Sequence, residues 1–461
     1  MHYDTIIIGA GMSGLAAGIR LAYFDRKVVV LERHRVFGGL NSFYTLGRRK
    51  FDVGLHALTN FVPQGIKNGP LPKLLRQLRI SREELDLREQ SYSEVRFPDR
   101  RLRFSNGGRM LTEDLAELFP DQIDGFERLV TAVKAYDDTA IVVTPRSARQ
   151  ELAQFITDPV LVDMLLCPLM YYGSAQEHDM DFTHFVTLFK SLYLEGFARP
   201  RDGVRVILKA LVKKFRQYGG KLRMGCGVRR IQTDGDRVAE LILDDGETIS
   251  ADAILSSAGY LETMRLCAQP DLPAPPDQPG RLSFVESISC TDLTPAQLGI
   301  DSTIIFFNDA ERFCYARPDD LVDVRSGVIC CPNNYQGHQD LPEGIIRITS
   351  LANYDRWAAL GPGEYAQAKE HCYTQTVDRA LAFIPEFRDR VVFRDMFTPR
   401  TIERFTGHLK GAVYGAPGKL RDGRTWLKNL FICGTDQGFL GIVGAILSGI
   451  SMANMHVLAR D

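Results

Sequence analysis

The sequence predicts an α/β fold in which a Rossmann-like dinucleotide-binding domain contains both ends of the chain and an α+β domain is interleaved between them. Three observations predict it. The chain opens on a β-type run that breaks at glycines spaced G-x-G-x-x-G and continues with apolar residues at the helical period. A second β-branched run follows directly, and the chain ends in another short apolar run, a glycine-rich loop and a helical pattern.

The N-terminal glycines have separate physical roles. Gly9 permits the sharp turn after the strand at residues 5–8, Gly11 lets backbone N–H groups approach a pyrophosphate, and Gly14 lets the helix lie close to the strand. The free N–H groups and the positive dipole end of the helix would face phosphate charge. The residues predicted to surround the phosphates are Gly9, Gly11, Met12, Ser13 and Gly14.

An acidic residue completes the predicted nucleotide site. The β-branched run at residues 27–31 ends in Glu32, eighteen residues past Gly14. A carboxylate at the end of the second strand can accept hydrogen bonds from ribose hydroxyls. A glycine-rich turn without a ligand is the alternative reading of the glycines alone. The two strands, the helical period and Glu32 together favour a dinucleotide.

Composition excludes several classes of protein. The chain of 461 residues has 45% hydrophobic residues, enough for a large core, and its 56 Lys and Arg balance 57 Asp and Glu. This balance argues against nucleic acid as a partner, which would favour a basic excess. The nine cysteines are scattered without a C-x-x-C pair, so we predict reduced thiols, no disulfide framework and no metal site.

The ends and the hydropathy of the chain predict its compartment. Met1 is followed almost at once by the first strand, with no basic segment typical of a signal peptide, and no apolar run reaches the roughly 18 residues of a membrane span. We expect a cytoplasmic protein, or one that lies peripherally on the cytoplasmic membrane face. Residues 71–80 alternate leucines with basic residues, as in an interfacial helix or an ordinary amphipathic surface helix.

The chain divides into three predicted parts. Residues 1–60, 200–265 and 420–461 form the dinucleotide-binding domain, residues 61–199 form a helical insert that acts as a lid or faces a membrane, and residues 266–419 form a substrate domain with a mixed or antiparallel sheet. Helices are predicted in the insert at 71–80, 112–119, 126–138 and 148–164. Strands of the second sheet are predicted at 282–291, 302–307, 312–317, 327–331 and 344–351, after a proline-rich linker at 270–279 and before a helix at 364–383.

The C-terminal segment returns to the first domain. A buried strand at residues 429–434 leads through a loop to a helix that begins at Gly441-Ile442. A second glycine-rich helix start suggests that another part of the same cofactor is held there. A nicotinamide enzyme would not require this, so the pattern favours FAD over NAD.

These motifs resemble a known family in their order along the whole chain. They are Glu32-Arg33, Gly38-Gly39, the FDVGLH run at 51–56, the PRDG run at 200–203, Thr398-Pro399, the GAVYG run at 411–415 and the GTDQGFLGIVGA run at 434–445. The chain resembles the FAD-dependent polyene oxidoreductases, which comprise phytoene desaturases, carotenoid cis–trans isomerases and retinol saturases within the amine-oxidase-like flavoprotein superfamily. The resemblance implies a glutathione-reductase-type FAD-binding domain. Ala57 departs from the pattern, since an aromatic residue usually follows this histidine.

The resemblance also implies roles for individual residues. Glu32 would hold the adenosine ribose, and Val228 would read the adenine through its backbone, with a core valine as the alternative. Asp436 would accept a hydrogen bond from a ribityl or phosphate-proximal hydroxyl, with a solvated loop carboxylate as the alternative. Ile442 and Val443 would direct N–H groups at the flavin ring, where reduced flavin carries negative charge. The remaining cofactor-binding residues that it implies are Arg33, Gly38, Gly39, Leu40, Asn41, Leu55, His56 and Gly434.

Hydride transfer takes place on the flavin itself, so the protein would mainly position a C–H or C=C group and exclude water, and no obligatory acid–base pair is expected. His56 is the predicted catalytic residue beside the flavin ring, with a structural histidine as the alternative. Tyr414 is the second candidate, as a cavity wall or a core residue. Desaturation, saturation and isomerisation of a lipophilic polyene all remain open.

Two other functions are open on the same fold. An amine or amino-acid oxidase would need a polar anchor for its substrate, for which Arg400 and Arg404 are candidates. A non-enzymatic relative would bind a prenylated protein without a flavin. The sequence does not specify the oligomeric state.

Overall fold

The structure is a computed structural model that describes residues 1–54, 56–140, 144–267, 279–338 and 341–460. Two predictions fall beyond these residues: the cofactor contact of Leu55 and nearly all of the linker at 270–279.

The strands fall into two large sheets and two small two-stranded sheets, β3 with β4 and β5 with β8. In chain order they are β1 (His2–Ile8), β2 (Val28–Glu32), β3 (Phe43–Leu46), β4 (Arg49–Asp52), β5 (Leu87–Glu89), β6 (Ser93–Phe97), β7 (Arg100–Phe104), β8 (Ala198–Pro200), β9 (Lys221–Met224), β10 (Val228–Asp234), β11 (Arg237–Leu243), β12 (Thr248–Ser256), β13 (Ser283–Thr291), β14 (Ile304–Asn308), β15 (Ser326–Cys330), β16 (Gly344–Ala352), β17 (Val391–Phe397) and β18 (Leu430–Ile432).

The α-helices cover the first sheet, build the insert and support the second sheet. In chain order they are α1 (Met12–Tyr23), α2 (Pro70–Leu78), α3 (Arg109–Leu118), α4 (Ile123–Ala135), α5 (Ala148–Leu152), α6 (Pro159–Gly173), α7 (Phe182–Phe189), α8 (Val204–Gln217), α9 (Tyr260–Leu266), α10 (Tyr354–Ala358), α11 (Pro362–Ala380), α12 (Pro399–Thr406) and α13 (Gly441–His456). A short π-helical turn, Lys190–Glu195, continues α7.

The first sheet confirms the predicted Rossmann-like arrangement. Its order is β10-β11-β12-β1-β2-β9, with β18 paired to β12, and the pairs that involve β1, β2, β9 and β18 are parallel. Ile8 pairs with both Leu31 and Ser256, so β1, β2 and β12 end at one edge of the sheet. Ligands of such sheets bind beyond this carboxyl edge.

The second sheet is mixed, in the order β17-β13-β16-β15-β14-β6-β7, with β6 parallel to β14. Its two faces have different partners because successive side chains alternate between them. Ser287 on one face bonds Thr376 of α11 at 2.7 Å. Glu286 on the other face lies beside a large cavity. This sheet is therefore one wall of the cavity.

Two predicted elements are wrong. The helix predicted at 148–164 is broken, because Pro159 cannot continue a helix and instead starts α6. The Asp158 carboxylate caps the N-terminus of α6 by accepting the N–H groups of Val160 and Leu161. The strand predicted at 312–317 does not form. Its backbone bonds elsewhere: the Phe313 N–H donates to Asp163 at 3.3 Å.

The insert is less helical than predicted. Residues 61–199 contain β5, β6, β7 and the start of β8, and β6 and β7 extend the second sheet. β17, which the sequence analysis did not identify, forms the opposite edge of this sheet. The domain boundaries stay predictions.

The helix predicted at 71–80 is an ordinary amphipathic helix with a covered apolar face. Leu71, Leu74, Leu75 and Leu78 of α2 are buried in the core that contains α1 and α13. Its leucines are therefore not available to a bilayer. In the described part of the chain, no helix has the length and apolar character needed to span a membrane.

Candidate functional site

A cavity of about 830 Å³ runs between the carboxyl edge of the first sheet and the face of the second sheet that carries Glu286. One end is lined by Glu32 and Val228, and the other by His56 and Tyr414. Between them it passes the N-terminus of α1 and the N-terminus of α13. The cavity therefore connects the predicted nucleotide site with both predicted catalytic residues.

The middle of the cavity is built from glycine backbone. The Gly38 N–H donates to the Ala10 carbonyl at 2.9 Å. This bond joins the loop that precedes the short 3₁₀ turn at residues 39–41 to the G-x-G-x-x-G loop at residues 9–14. A Cβ on Gly11 would lie 4.0 Å from the Gly38 carbonyl oxygen, so the two loops leave a narrow trough. No side chain caps α1 at Gly11, which leaves its first N–H groups for a ligand. Fingerprint and loop residues that line this part are Gly9, Gly11, Met12, Ser13, Gly38, Gly39, Leu40 and Asn41.

Gly14 takes no part in the lining. A Cβ there would lie 2.0 Å from the Gly9 carbonyl oxygen, so glycine is needed for α1 to approach the end of β1. This is the packing role that the sequence predicts, and it makes Gly14 a support of the site.

At the nucleotide end, backbone hydrogen bonds orient Glu32. Its Oε2 accepts the Ala10 N–H at 2.8 Å and its Oε1 accepts the His34 N–H at 2.9 Å. Arg33 lines the cavity and packs its guanidinium against the C-terminal end of α12. Val228 lines the cavity and also contacts the core under β10, so it has features of both predicted alternatives.

At the opposite end, His56 is fixed through its ring and its backbone. Its Nε2 lies 3.1 Å from Thr349 Oγ1 and 3.8 Å from Glu286 Oε2. Its carbonyl oxygen accepts the Tyr335 hydroxyl at 2.9 Å. Its Nδ1 is buried and has no hydrogen-bond partner among the described residues. Burial, and then the charges of Arg347 and Arg199, hold the pKa of His56 well below its ordinary value, so the ring is neutral near pH 7.

A buried network of charges lies behind His56. Arg347 donates from Nε and Nη2 to Glu286 Oε1, and its Nη2 also reaches the Asp52 carbonyl at 3.1 Å. The Asp52 carboxylate accepts Arg199 at 2.5 Å and Arg205 at 3.4 Å. Burial raises the pKa of Glu286, and Arg347 opposes this rise. Three guanidinium groups thus face two carboxylates behind the cavity wall, and of these five groups only Glu286 lines the cavity.

The walls near His56 are aromatic, and their hydroxyl groups are used within the protein. Tyr171 bonds Ser326 Oγ at 2.8 Å, Tyr172 donates to the Ala57 carbonyl, and Tyr414 donates to the Tyr171 carbonyl. Burial raises the pKa of Tyr414 well above its usual range. Phe284 packs edge-on against Tyr414. These residues therefore offer ring faces and edges to a ligand.

The C-terminal motif divides between the cavity and the core. Gly434 and Ile442 line the cavity, whereas Val443 packs in the core beneath α1. The cofactor contact of Asp436 stays a prediction, and the alternative of a solvated loop carboxylate is wrong, because the residue is only 2% exposed. Its Oδ1 accepts the Ala416 N–H at 2.9 Å and its Oδ2 accepts the Tyr260 N–H at 2.7 Å, so its carboxylate joins three loops outside the cavity lining.

The sequence analysis missed Glu286, Thr349 and Arg347. A signal was present, because Glu286 and Arg347 are single charges within otherwise apolar or small-residue strands, and a charge in a central strand needs a partner. The expectation that no obligatory acid–base pair is needed stays a prediction, and the structure adds that His56, Thr349 and Glu286 adjoin one another at the cavity. No group of His, Cys, Asp and Glu in the described ranges has the arrangement of a metal site.

The residues present fit an FAD molecule. The trough at Gly11 and Gly38 suits a pyrophosphate, and Glu32 is placed for a ribose. At the other end, the buried Nδ1 of His56 lacks a partner within the described structure, as expected if a bound group completes its surroundings.

Comparisons with known proteins agree with this fit. The sequence profile of the flavin-containing amine oxidoreductase family matches residues 12–454. Chloroplastic prolycopene isomerase 2 of an Oncidium hybrid cultivar is 23% identical over 508 residues, an alignment that covers 100% of this chain and 84% of the isomerase. All-trans-retinol 13,14-reductase of Danio rerio is 21% identical over an alignment that covers 99% of this chain and 86% of the reductase. An oxidoreductase structure from Methanosarcina mazei superposes with a TM-score of 0.70 at 17% identity, covering 98% of this chain and 99% of that one.

Proposed function

This chain belongs to the flavin-containing amine oxidoreductase family and is an FAD-dependent oxidoreductase, and from that premise we propose that its substrate is a hydrophobic polyene. The proposed reaction is desaturation, saturation or flavin-dependent cis–trans isomerisation. The observation that carries the proposal is the aromatic arm of the cavity at His56, in which the hydroxyl groups of Tyr171, Tyr172 and Tyr414 are used internally. The full-length similarity to a prolycopene isomerase and a retinol reductase supports it.

The geometry is less suited to an amine or amino-acid oxidase. Neither predicted anchor lines the cavity. Arg400 donates to the Leu360 carbonyl at 3.0 Å and covers the Tyr365 ring, and Arg404 covers the ring of Phe405. The family assignment as an oxidoreductase also sets aside the non-enzymatic alternative.

In the proposed mechanism the chain binds and orients the reactants and excludes water from them. The N-terminus of α1, Glu32 and the N-terminus of α13 would hold FAD, which supplies hydride chemistry when bound. The Tyr171, Tyr172 and Phe284 rings would confine the polyene and exclude water. His56 would stand beside the reacting carbons with a neutral ring.

Anaerobic incubation tests the substrate class. The FAD-loaded protein, oxidised in one series and reduced in the other, is mixed with prolycopene, lycopene, phytoene and all-trans-retinol, and the products are separated by mass and isomer. Loss of hydrogen identifies desaturation, gain identifies saturation, and a changed isomer of unchanged mass identifies isomerisation. Val328→Trp, which fills the aromatic arm, should stop turnover and keep the flavin absorption band, whereas the exposed Val392→Trp should keep both turnover and the band. If every polyene is unchanged while amines reduce the flavin, the proposal is wrong.

We also propose peripheral contact with an anionic membrane, through a basic face formed by α1 and α2. Arg20, Lys73, Arg76 and Arg79 surround a shallow depression of about 410 Å³. None of the four has a carboxylate within ion-pair distance in the described structure. Exposed Phe24 and Ile66, at 45% and 50% exposure, add apolar side chains next to Arg20 and to Lys67. Basic and apolar groups together favour the surface of anionic lipid.

A further inference from the structure

We propose that Thr349 and Glu286 are positioning residues that hold His56 as its Nε2–H tautomer, which leaves Nδ1 as the proton acceptor of the reaction. The inference rests on the proposed function for its chemistry, and on the contacts of His56 for its geometry. It concerns which atom carries the proton, which neither the family nor the fold specifies.

The ring contacts set the direction of the hydrogen bonds. Glu286 has no proton to donate when it is paired with Arg347, so the Thr349 hydroxyl donates to Glu286 Oε2, at 3.4 Å. Thr349 Oγ1 is then left as an acceptor toward His56 Nε2, at 3.1 Å. The Nε2–H form satisfies this acceptor. The Nδ1–H form would place the lone pair of Nε2 against an oxygen and would bury an unpartnered N–H.

The backbone contacts hold the ring in place. The His56 carbonyl oxygen accepts the Tyr335 hydroxyl at 2.9 Å and lies 3.5 Å from Arg199 Nη1. Arg199 is itself held by Asp52. His56 is therefore anchored at both its carbonyl and its Nε2, and of its own two ring nitrogens only Nδ1 has no partner among the described residues.

The surrounding charges define how His56 acts. Burial, and then Arg347 and Arg199, lower its pKa. Glu286 faces its Nε2, while Asp52 and Arg205 lie one contact further away. A weak base is sufficient here, because a C–H group next to a carbon that has lost a hydride is strongly acidic. The imidazolium that forms would be stabilised by Glu286 through Thr349, as a carboxylate stabilises a catalytic imidazolium in other enzymes.

The proton and the electrons balance in this step. In desaturation His56 Nδ1 would take the proton of one substrate carbon, and the electron pair of that C–H bond would form the new π bond to the neighbouring carbon, whose hydride FAD would accept when bound. Saturation is the reverse, with the His56 imidazolium as proton donor. The same residues therefore serve both directions.

Thr349→Val tests the positioning of His56, because it removes the Thr349 hydroxyl and keeps the size of the side chain and the surrounding charges. Thr349→Ser is the conservative rescue, and Ser350→Ala is the control, since Ser350 is the adjacent buried residue on the opposite face of β16. Nitrogen-15 NMR of histidine-labelled protein, with and without FAD, reports the tautomer, and a His56→Gln spectrum assigns the resonance. Flavin absorbance confirms equal FAD content.

The expected result is a protonated Nε2 and an unprotonated Nδ1 in the wild type, Thr349→Ser and Ser350→Ala, and a mixture of tautomers in Thr349→Val. With a substrate in hand, Thr349→Val should lower kcat by roughly 10- to 100-fold with little change in KM. Glu286→Gln, which keeps the shape of the side chain, should change the pH profile of kcat.

A wild-type Nδ1–H tautomer, or an unchanged tautomer in Thr349→Val, would overturn the inference. If the tautomer is as expected but no polyene reacts, the positioning of His56 by Thr349 and Glu286 stands, and the proposed substrate class falls together with the role of Nδ1 in it.

Discussion

The Ala10 backbone N–H donates to Glu32 Oε2 at 2.8 Å, so the acidic residue that ends the second strand holds the loop that follows the first. Glu32→Ala removes this bond and the bond from the His34 N–H, together with the predicted ribose contact. Hydrogen bonds to a charged group contribute about 1.5–3 kcal/mol each, so we expect the Kd for FAD to rise by about 10- to 100-fold. Titration of the apoprotein by flavin fluorescence measures it. The exposed Glu127→Ala is the control, and equal affinities of the two variants would contradict the prediction.

The sequence predicts the nucleotide end of the site better than the catalytic end. The glycines and Glu32 lie within one βαβ unit, where local spacing determines the geometry. Glu286 and Thr349 become neighbours only because β13 pairs with β16, in which these two residues are directly opposite. Strand pairing across such a separation depends on the whole sheet, so periodicity along the chain does not reveal it. Asp436 shows the converse, since its motif is local but its partners, Ala416 and Tyr260, are not.

Gly203 is predicted to be a sensitive position for stability. A Cβ there would lie 2.1 Å from Asp52 Oδ2, and its φ of +77° is unfavourable for other residues. Gly219 is the matched control, because its φ is +81° and no described atom lies within 4 Å of an added Cβ. Its substitution therefore measures the cost of the backbone conformation alone. Gly219→Ala should cost about 1–2 kcal/mol. Gly203→Ala should cost at least about 3 kcal/mol, because it also disturbs the buried pairing of Asp52 with Arg199. Urea unfolding measures both, and equal losses would show that the clash is relieved.

Lys419 should make stability depend on pH. Burial lowers its pKa from 10.5 to about 8, against the attraction of Asp436. Between these values the unfolded chain binds more protons than the folded protein, so the free energy of unfolding rises with pH, by up to about 3 kcal/mol. Lys419→Met should lose this rise, and the exposed Lys213→Met should keep it. Urea unfolding at a series of pH values between 8 and 10.5 is the measurement, and parallel curves for wild type and Lys419→Met would refute the assignment.

The basic face should bind anionic lipid by charge. Arg76→Glu combined with Arg79→Glu reverses two charges at the depression near Arg20. Each basic residue near such a surface contributes about 1 kcal/mol, so we expect at least a tenfold loss of binding to phosphatidylglycerol vesicles. Cosedimentation measures it. The controls are phosphatidylcholine vesicles and Arg109→Glu, since Arg109 is on α3 and does not line the depression. Equal binding by the double variant and the wild type would disprove a role for this face.

Tyr414 and His56 should respond differently to substitution. The Tyr414 hydroxyl donates to the Tyr171 carbonyl and burial raises its pKa, so it is neither free nor acidic enough to supply the reaction with a proton. Tyr414→Phe keeps the ring that lines the cavity, and we expect kcat to fall by less than about tenfold, mainly through the Tyr171 carbonyl left without its partner. His56→Gln removes the proposed proton acceptor, and a loss of about 10²- to 10⁴-fold is expected. Steady-state kinetics at matched FAD content compare the two. A larger loss for Tyr414→Phe than for His56→Gln would transfer the proton-transfer role from the imidazole to the phenol.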